Sequence, residues 1–482
     1  MSRRLALRRS APPFARGSAR KPAPQPAGAL TPSPALPPES QPVRRGARRP
    51  AVLAGAVLTV GTLVVAAPSG CARTPADMPA PGPAVRLTAT VPAGLSIGVV
   101  VSVTSAPGEG SAWRDAAEGA RVAAERFALG GTSVTLVPVN DKGTEAGAVA
   151  AVTTLADRHV AGIVLATEGD HIGAAVQAAA DRHLPVLLPY TATANGLPTG
   201  VWSTGPDSTV TDQRLAETLT DHELTRPYLI DAGGGEVSGL TPVATQSFAA
   251  GDDPADVVAR LAVRQRDPGR AADAVVISGP AELQGRLVAA LQGASIDLPV
   301  LLTPDALSPG FPRAVADADG SLAGTYLSAG PDDGDARALE PTDAGRSLAA
   351  YFSALSLAAD NPRATDLFGE RPFGAVAGAA DVRSHDAVVA LVRAAAQATD
   401  RTGGADPAAV GDALGTMRLG AADGLAGAPL DFATPPTVAD ADVRALAATP
   451  VSPGVRPSSA PSAGQSTAGS SASLYWYAAS PR

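Results

Sequence analysis

Gly94-Leu-Ser-Ile-Gly-Val-Val-Val-Ser-Val103 is apolar on both faces that a strand presents, and it stops at the turn residues Pro107 and Gly108. From residue 111 to 127 the spacing changes. Trp113, Ala116, Ala120, Ala123 and Phe127 recur at intervals of three and four, the period of a helix. A strand with no wet face needs cover on both sides, and strand-then-helix units supply it by laying parallel strands side by side between helices. The alternation continues with strands expected at 133–139, 162–167 and 185–190 and helices at 144–158 and 172–182.

A second series begins past Leu224-Thr-Arg-Pro227. Strands at 228–232, 274–278, 299–303 and 324–328 alternate with helices at 256–264 and 282–293. Two series imply two sheets and hence two lobes of an α/β protein. Further helices at 344–359, 384–399 and 407–417 either build a third domain or return to the first lobe. Residues 451–473 form a Ser/Pro-rich linker with little to bury. The final segment, 474–482, contains Leu474-Tyr-Trp-Tyr477, aromatic enough for a strand that docks back, or else a disordered end.

The charge is divided along the chain. Of 38 basic and 46 acidic residues, eleven basic and one acidic lie in residues 1–70, which leaves the rest at −18. An acidic body of this kind has no basic stripe for phosphates, so no nucleic-acid partner is expected. Residues 1–50 are a basic Pro/Ala/Arg-rich extension without apolar periodicity, expected to be disordered. Residues 51–67 are seventeen without a charge, and Pro68-Ser-Gly-Cys71 follows. A positive end, an apolar segment and small residues before a cut are the parts of an export signal. The alternative is a retained anchor, for which seventeen residues are short against a hydrocarbon core of about 30 Å. Residues 72–92 are a Pro-rich tether. With 45% hydrophobic residues and one Cys in 482, disorder throughout and a disulfide scaffold are both excluded.

Several blocks, taken in order, resemble a known family. Ile97-Gly-Val-Val-Val-Ser-Val-Thr-Ser-Ala-Pro107 is similar to its opening strand and loop, and Glu118-Gly-Ala-Arg-Val-Ala-Ala-Glu-Arg-Phe127 to its first helix. Val139-Asn-Asp-Lys-Gly-Thr-Glu-Ala-Gly-Ala148, Pro189-Tyr-Thr-Ala-Thr-Ala194 and Trp202-Ser-Thr-Gly-Pro-Asp207 follow. Asp273-Ala-Val-Val276, Ser384-His-Asp-Ala-Val388 and Gly427-Ala-Pro-Leu-Asp-Phe432 complete the series. The chain from about 95 to 432 thus resembles the solute-binding proteins of ABC importers, in particular the branched-chain amino-acid (Leu/Ile/Val) receptor family. The resemblance implies the type I periplasmic-binding-protein fold, with two lobes, each a parallel sheet flanked by helices, joined by three hinge crossovers. Lobe 1 would be 93–223 with a return at 336–420, and lobe 2 would be 224–335 with a return at 421–450. It also makes residues 51–71 similar to a bacterial lipoprotein signal in which Cys71 is lipidated, although Pro68 stands where Leu is usual.

In that family the solute sits between the lobes at strand-to-helix junctions, where backbone N–H groups are free. By resemblance Thr191 and Thr193 meet the ligand's carboxylate and amino groups, or they cap a following helix. Asp305, directly after the strand at 299–303, would accept from the ligand's ammonium, or cap a helix itself. Thr167 and Glu168 follow the strand at 162–167. Glu168 replaces a small residue of the family, and either holds a cation or faces solvent. Tyr190 and Trp113 are the candidate aromatic linings, because Gly233-Gly-Gly-Glu236 stands where the family places a Tyr.

The expected function is that of a monomeric, lipid-anchored receptor at the outer face of the cytoplasmic membrane. It would hand a small polar solute, such as an amino acid, to ABC permease subunits. An envelope sensor or interaction protein on the same fold is the alternative. Catalysis is not expected, nor is a cofactor or metal. His159, His171, His183, His222 and His385 lack ligand spacing, and no nucleophile elbow or phosphate-binding glycine loop occurs.

Overall fold

The computed structural model describes residues 84–192, 196–331, 334–457 and 473–479. The opening apolar run forms β1 (Ser96–Val101), whose last five residues are all buried. The helix expected next divides in two: a pair of 3-10 turns, Ser111–Trp113 and Ala116–Glu118, precedes α1 (Gly119–Leu129). A close approach explains where α1 starts, since a Cβ on Gly119 would lie 1.9 Å from the Asp381 carbonyl oxygen. There follow β2 (Thr135–Asn140), α2 (Glu145–Asp157), β3 (Ile163–Leu165), α3 (Gly173–Ala180), β4 (Val186–Leu188) and β5 (Val201–Ser203). All five strands are parallel, in the order β2-β1-β3-β4-β5.

The second sheet begins after α4 (Ser208–Asp221), with β6 (Pro227–Asp231), β7 (Ala244–Ser247), α5 (Pro254–Gln265), β8 (Ala274–Ser278) and α6 (Ala281–Gly293). It continues through β9 (Val300–Leu302), α7 (Gly310–Asp317) and β10 (Tyr326–Gly330). The chain then returns to the first sheet. There α8 (Asp343–Ala359) and α9 (Val382–Thr402) pack on α1, and α10 (Pro407–Leu414) packs on α9. These helices therefore belong to the first lobe and do not build a third domain. A small hairpin, β11 (Arg418–Leu419) with β12 (Leu430–Asp431), leads back to β13 (Arg444–Thr449) in the second sheet. That sheet ends in β14 (Tyr475–Ala478), so Leu474-Tyr-Trp-Tyr477 does dock as a strand. Its order is β14-β13-β10-β9-β8-β6-β7, parallel except that β13 runs antiparallel to both of its neighbours.

Three crossings connect the lobes, at 204–207, 331–342 and 433–443, so the first lies earlier than the boundary expected at 224. The cause is α4. Its Leu215 and Leu219 are buried among Leu229, Val276 and Leu327 of the second sheet. Likewise Leu425 and Ala426 stay with the first lobe, because Asp386 accepts from the N–H groups of Ala426 and Gly427 at 2.8 Å each. Beyond β13 the described residues touch the first lobe once more. Arg456 reaches the first lobe, donating to the carbonyls of Gly378 and Ala380, before β14 rejoins the second sheet. The expected export signal with Cys71, and most of the linker, lie outside the described residues.

Candidate functional site

The strand ends of the two sheets face each other across a cleft, and the sequence-predicted residues are placed by those ends. Tyr190 and Thr191 follow β4, Thr167 and Glu168 follow β3, and Asp305 follows β9 within the 3-10 turn Pro304–Leu307. Trp113 lies in the first 3-10 turn after β1 and stacks on Tyr190, with ring centroids 4.4 Å apart and planes 7° from parallel. The Arg383 guanidinium lies beside this pair, 4.3 Å from the Trp113 ring centroid and 5.0 Å from that of Tyr190. Asp381 organises the cluster from below. Its carboxylate caps α9 at the Ser384 N–H, accepts from the Tyr190 hydroxyl at 3.1 Å, and pairs with Arg383 Nε at 3.1 Å. Neither Asp381 nor Arg383 carries a sequence signal beyond its place beside the Ser384-His-Asp386 block.

Two carboxyl groups from opposite lobes meet here. Glu168 does not face solvent. Burial raises its pKa well above the usual range, and the charge of Asp305 raises it further. Asp305 is pushed to about 7 by burial and then by Glu282, with Arg383 pulling the other way. Both keep some accessible area, so water reaches them, but protein surrounds them. Asp305 caps no helix, since Thr303 holds the N-cap position of its turn. The Trp113 indole N–H faces Glu168 but makes no hydrogen bond of ordinary geometry.

The remaining predicted residues are placed differently. Thr167 is fully buried, and its hydroxyl bonds Ser102 Oγ at 2.7 Å, inside the first lobe. Among the described residues between Thr191 and β5 there is no helix for it to cap. The Thr191 carbonyl accepts from Ser203 Oγ, and its own hydroxyl is buried without a partner. Thr193 lies outside the described residues. The glycines at 233–235 allow close approach between two loops, since a Cβ on Gly234 would lie 2.5 Å from the Gly279 amide nitrogen. Gly233 and Gly235 have space around them but hold left-handed backbone, with φ of +105° and +76°, which a Tyr rarely adopts.

The lobes touch at several points. Arg313 of α7 reaches Asp115 at 2.7 Å, and Asp115 also holds Arg371 at 2.7 Å. Gly310 lies against Ala112, and Gly108 against Pro280. Toward the crossings a cavity of about 600 Å³ opens beside Asp381 and Arg383, with Leu307 and Val376 on its walls and Trp476 of β14 as part of its lining. A hydrolytic role for Ser384-His-Asp386 has no geometry to support it. The Ser384 hydroxyl donates to the Ala116 carbonyl, while His385 lies between Asp386 and Arg126. Among the described residues no group of His, Cys, Asp or Glu is placed to hold a metal ion.

Two lobes of parallel sheet with these crossings are the fold of the type I periplasmic binding proteins. A protein of that type from Bordetella pertussis Tohama I superposes with a TM-score of 0.53 at 17% identity, over 75% of this chain and 97% of its own. LivJ of Streptococcus pneumoniae, a branched-chain amino acid transporter substrate-binding protein in complex with isoleucine, gives 0.50 at 19% identity, over 74% and 95%. A fatty acid ABC transporter substrate-binding protein from Thermomonospora curvata gives 0.55 at 16% identity, over 76% and 90%. No family model matches the sequence, and neither does any curated protein.

Proposed function

We propose that this protein is an exported receptor that captures a small solute between its lobes and delivers it to an ABC permease, held at the membrane by lipid on Cys71. The observation that carries the reading is convergence. An aromatic stack and the Glu168 carboxyl from one lobe meet the Asp305 carboxyl from the other at the strand ends, where ligands of open parallel sheets bind. The fold neighbours support it, since two are described as substrate-binding proteins of transporters, one of them holding isoleucine. The export grammar of residues 44–71 supports the location. No chemistry is assigned to the site, because the only hydroxyl–imidazole–carboxylate sequence is committed to packing. A sensor without a transport role is the second reading, favoured by the C-terminal segment, whose Trp476 forms part of the cavity wall.

Solute binding is tested by thermal shift and calorimetry with a panel of amino acids, amines and carboxylates. A binding solute is expected to raise the melting temperature in proportion to the logarithm of its concentration. A flat response to the whole panel counts against both readings.

A further inference from the structure

The chemistry of the cleft is unbalanced. A zwitterionic amino acid needs donors for its carboxylate, and the cleft has few. The Thr167 hydroxyl is used on Ser102, the unpaired hydroxyls of Thr191, Thr204 and Ser308 and the Trp113 N–H are neutral donors, and the Arg383 guanidinium is shared with Asp381. Acceptors are in excess. Glu168, Asp305 and Glu282 bring three carboxyl groups, one Glu282 oxygen is buried without a partner, and Arg383 is the cation whose charge acts on both Glu168 and Asp305. The guanidinium already lies within cation–π distance of both rings, the contact that organic cations make with Trp and Tyr.

We infer that the cleft takes an organic cation, an ammonium or guanidinium on a larger body, whose head displaces Arg383 from the Trp113–Tyr190 face and sits between Glu168 and Asp305. This rests on the receptor reading above and names its solute class. A second feature points the same way. Trp113 is 1% exposed, and its buried N–H faces Glu168 without a hydrogen-bond partner, so a polar group at the head site would satisfy it. Arg383 then acts as an internal stand-in. It partly neutralises the acids while the cleft is empty, and its pairing with Asp381 at the head of α9 gives it a place to retreat to. Its movement joins the head site to the adjoining 600 Å³ cavity, which gives the ligand's body room among Leu307, Val376 and Trp476.

The test uses the full chain and five probes: agmatine and putrescine, which are cations without a carboxylate, L-arginine, L-leucine and octanoate. Calorimetry is expected to show agmatine and putrescine binding, arginine weaker than agmatine because of its carboxylate, and leucine and octanoate silent. Glu168→Gln and Asp305→Asn should each weaken agmatine by about tenfold or more. Arg383→Met, which removes the stand-in, should tighten agmatine by about threefold to tenfold and so gives a gain of function that misfolding cannot mimic. Preferred binding of leucine or octanoate would leave the receptor reading in place and overturn the cation. So would an Arg383→Met variant that binds agmatine no better, together with a Glu168→Gln variant that binds it no worse. Silence of all five probes with both wild type and Arg383→Met would overturn the cation and count against the receptor reading itself.

Discussion

His171 has carboxylates at both ring nitrogens, Glu109 Oε2 at 2.5 Å and Asp141 Oδ2 at 3.0 Å, an arrangement that favours the imidazolium, whose two N–H groups can donate to both. Burial opposes that charge, but the bonds to Asp141 and Glu109 outweigh it and raise the pKa above 6.5. A group raised on folding stabilises fully below its unfolded pKa and loses that contribution as pH rises through the folded one. His171→Gln is therefore expected to cost about 3 kcal/mol near pH 6 and much less near pH 9 in urea unfolding. Parallel curves for wild type and variant would show a neutral ring. Glu118 adds to the same trend, because burial raises it to about 8, so its ionisation also costs stability as pH climbs above 4.5. Glu118→Gln should raise the melting temperature at pH 8 by a few degrees and leave it nearly unchanged at pH 4.5. The strands that Trp113, Tyr190, Thr191, Glu168 and Asp305 follow can be found from sequence, which is what makes these residues candidates. Arg383 cannot, since nothing local indicates that a helix nearly two hundred residues after Tyr190 brings a guanidinium onto its ring.

Helix α9 shows how one residue supports both an element and the site. Asp381 caps it at the Ser384 N–H at 3.0 Å, and the same carboxylate holds Tyr190 and Arg383. Asp381→Ala is expected to cost about 1–2 kcal/mol, the usual loss for a removed cap. Asp381→Asn still caps, so it should recover most of the stability while leaving Arg383 without its ion pair. Equal destabilisation by both would mean that the ion pair, and not the cap, carries the energy. The parallel strands and the main helices were legible because their apolar runs are long and their periods distinct. By contrast α4, Ser-Thr-Val-Thr-Asp-Gln-Arg-Leu-Ala-Glu-Thr-Leu-Thr-Asp from 208 to 221, buries only Thr211, Leu215, Thr218 and Leu219, too narrow a stripe to stand out. The edge strand β7 is Ala-Thr-Gln-Ser and buries only Gln246. The break before α1 comes from tertiary demand: Trp113 has to turn onto Tyr190, and Gly119 has to meet Asp381.

At the scale of the molecule the lobes meet along a seam, and one position on it is tight enough to act as a doorstop. A Cβ on Gly310 would lie 2.6 Å from Ala112 Cβ, so Gly310→Leu is expected to wedge α7 away from the first lobe. Small-angle scattering should give a larger radius of gyration than for wild type, and the solute-dependent thermal shift should vanish although the protein still melts cooperatively. An unchanged radius with intact solute response would mean that the seam yields without opening. The arrangement of the second sheet also bears on how the protein is made. Its outermost strand, β14, comes from the last residues of the chain, and the first lobe needs α8 and α9, which are synthesised only after most of the second sheet. The first lobe therefore cannot be completed until most of the second sheet has been made, and the second sheet not until β14 has been made. A product that stops before Leu474 leaves β13 as a bare edge, its backbone groups open to pairing with another chain.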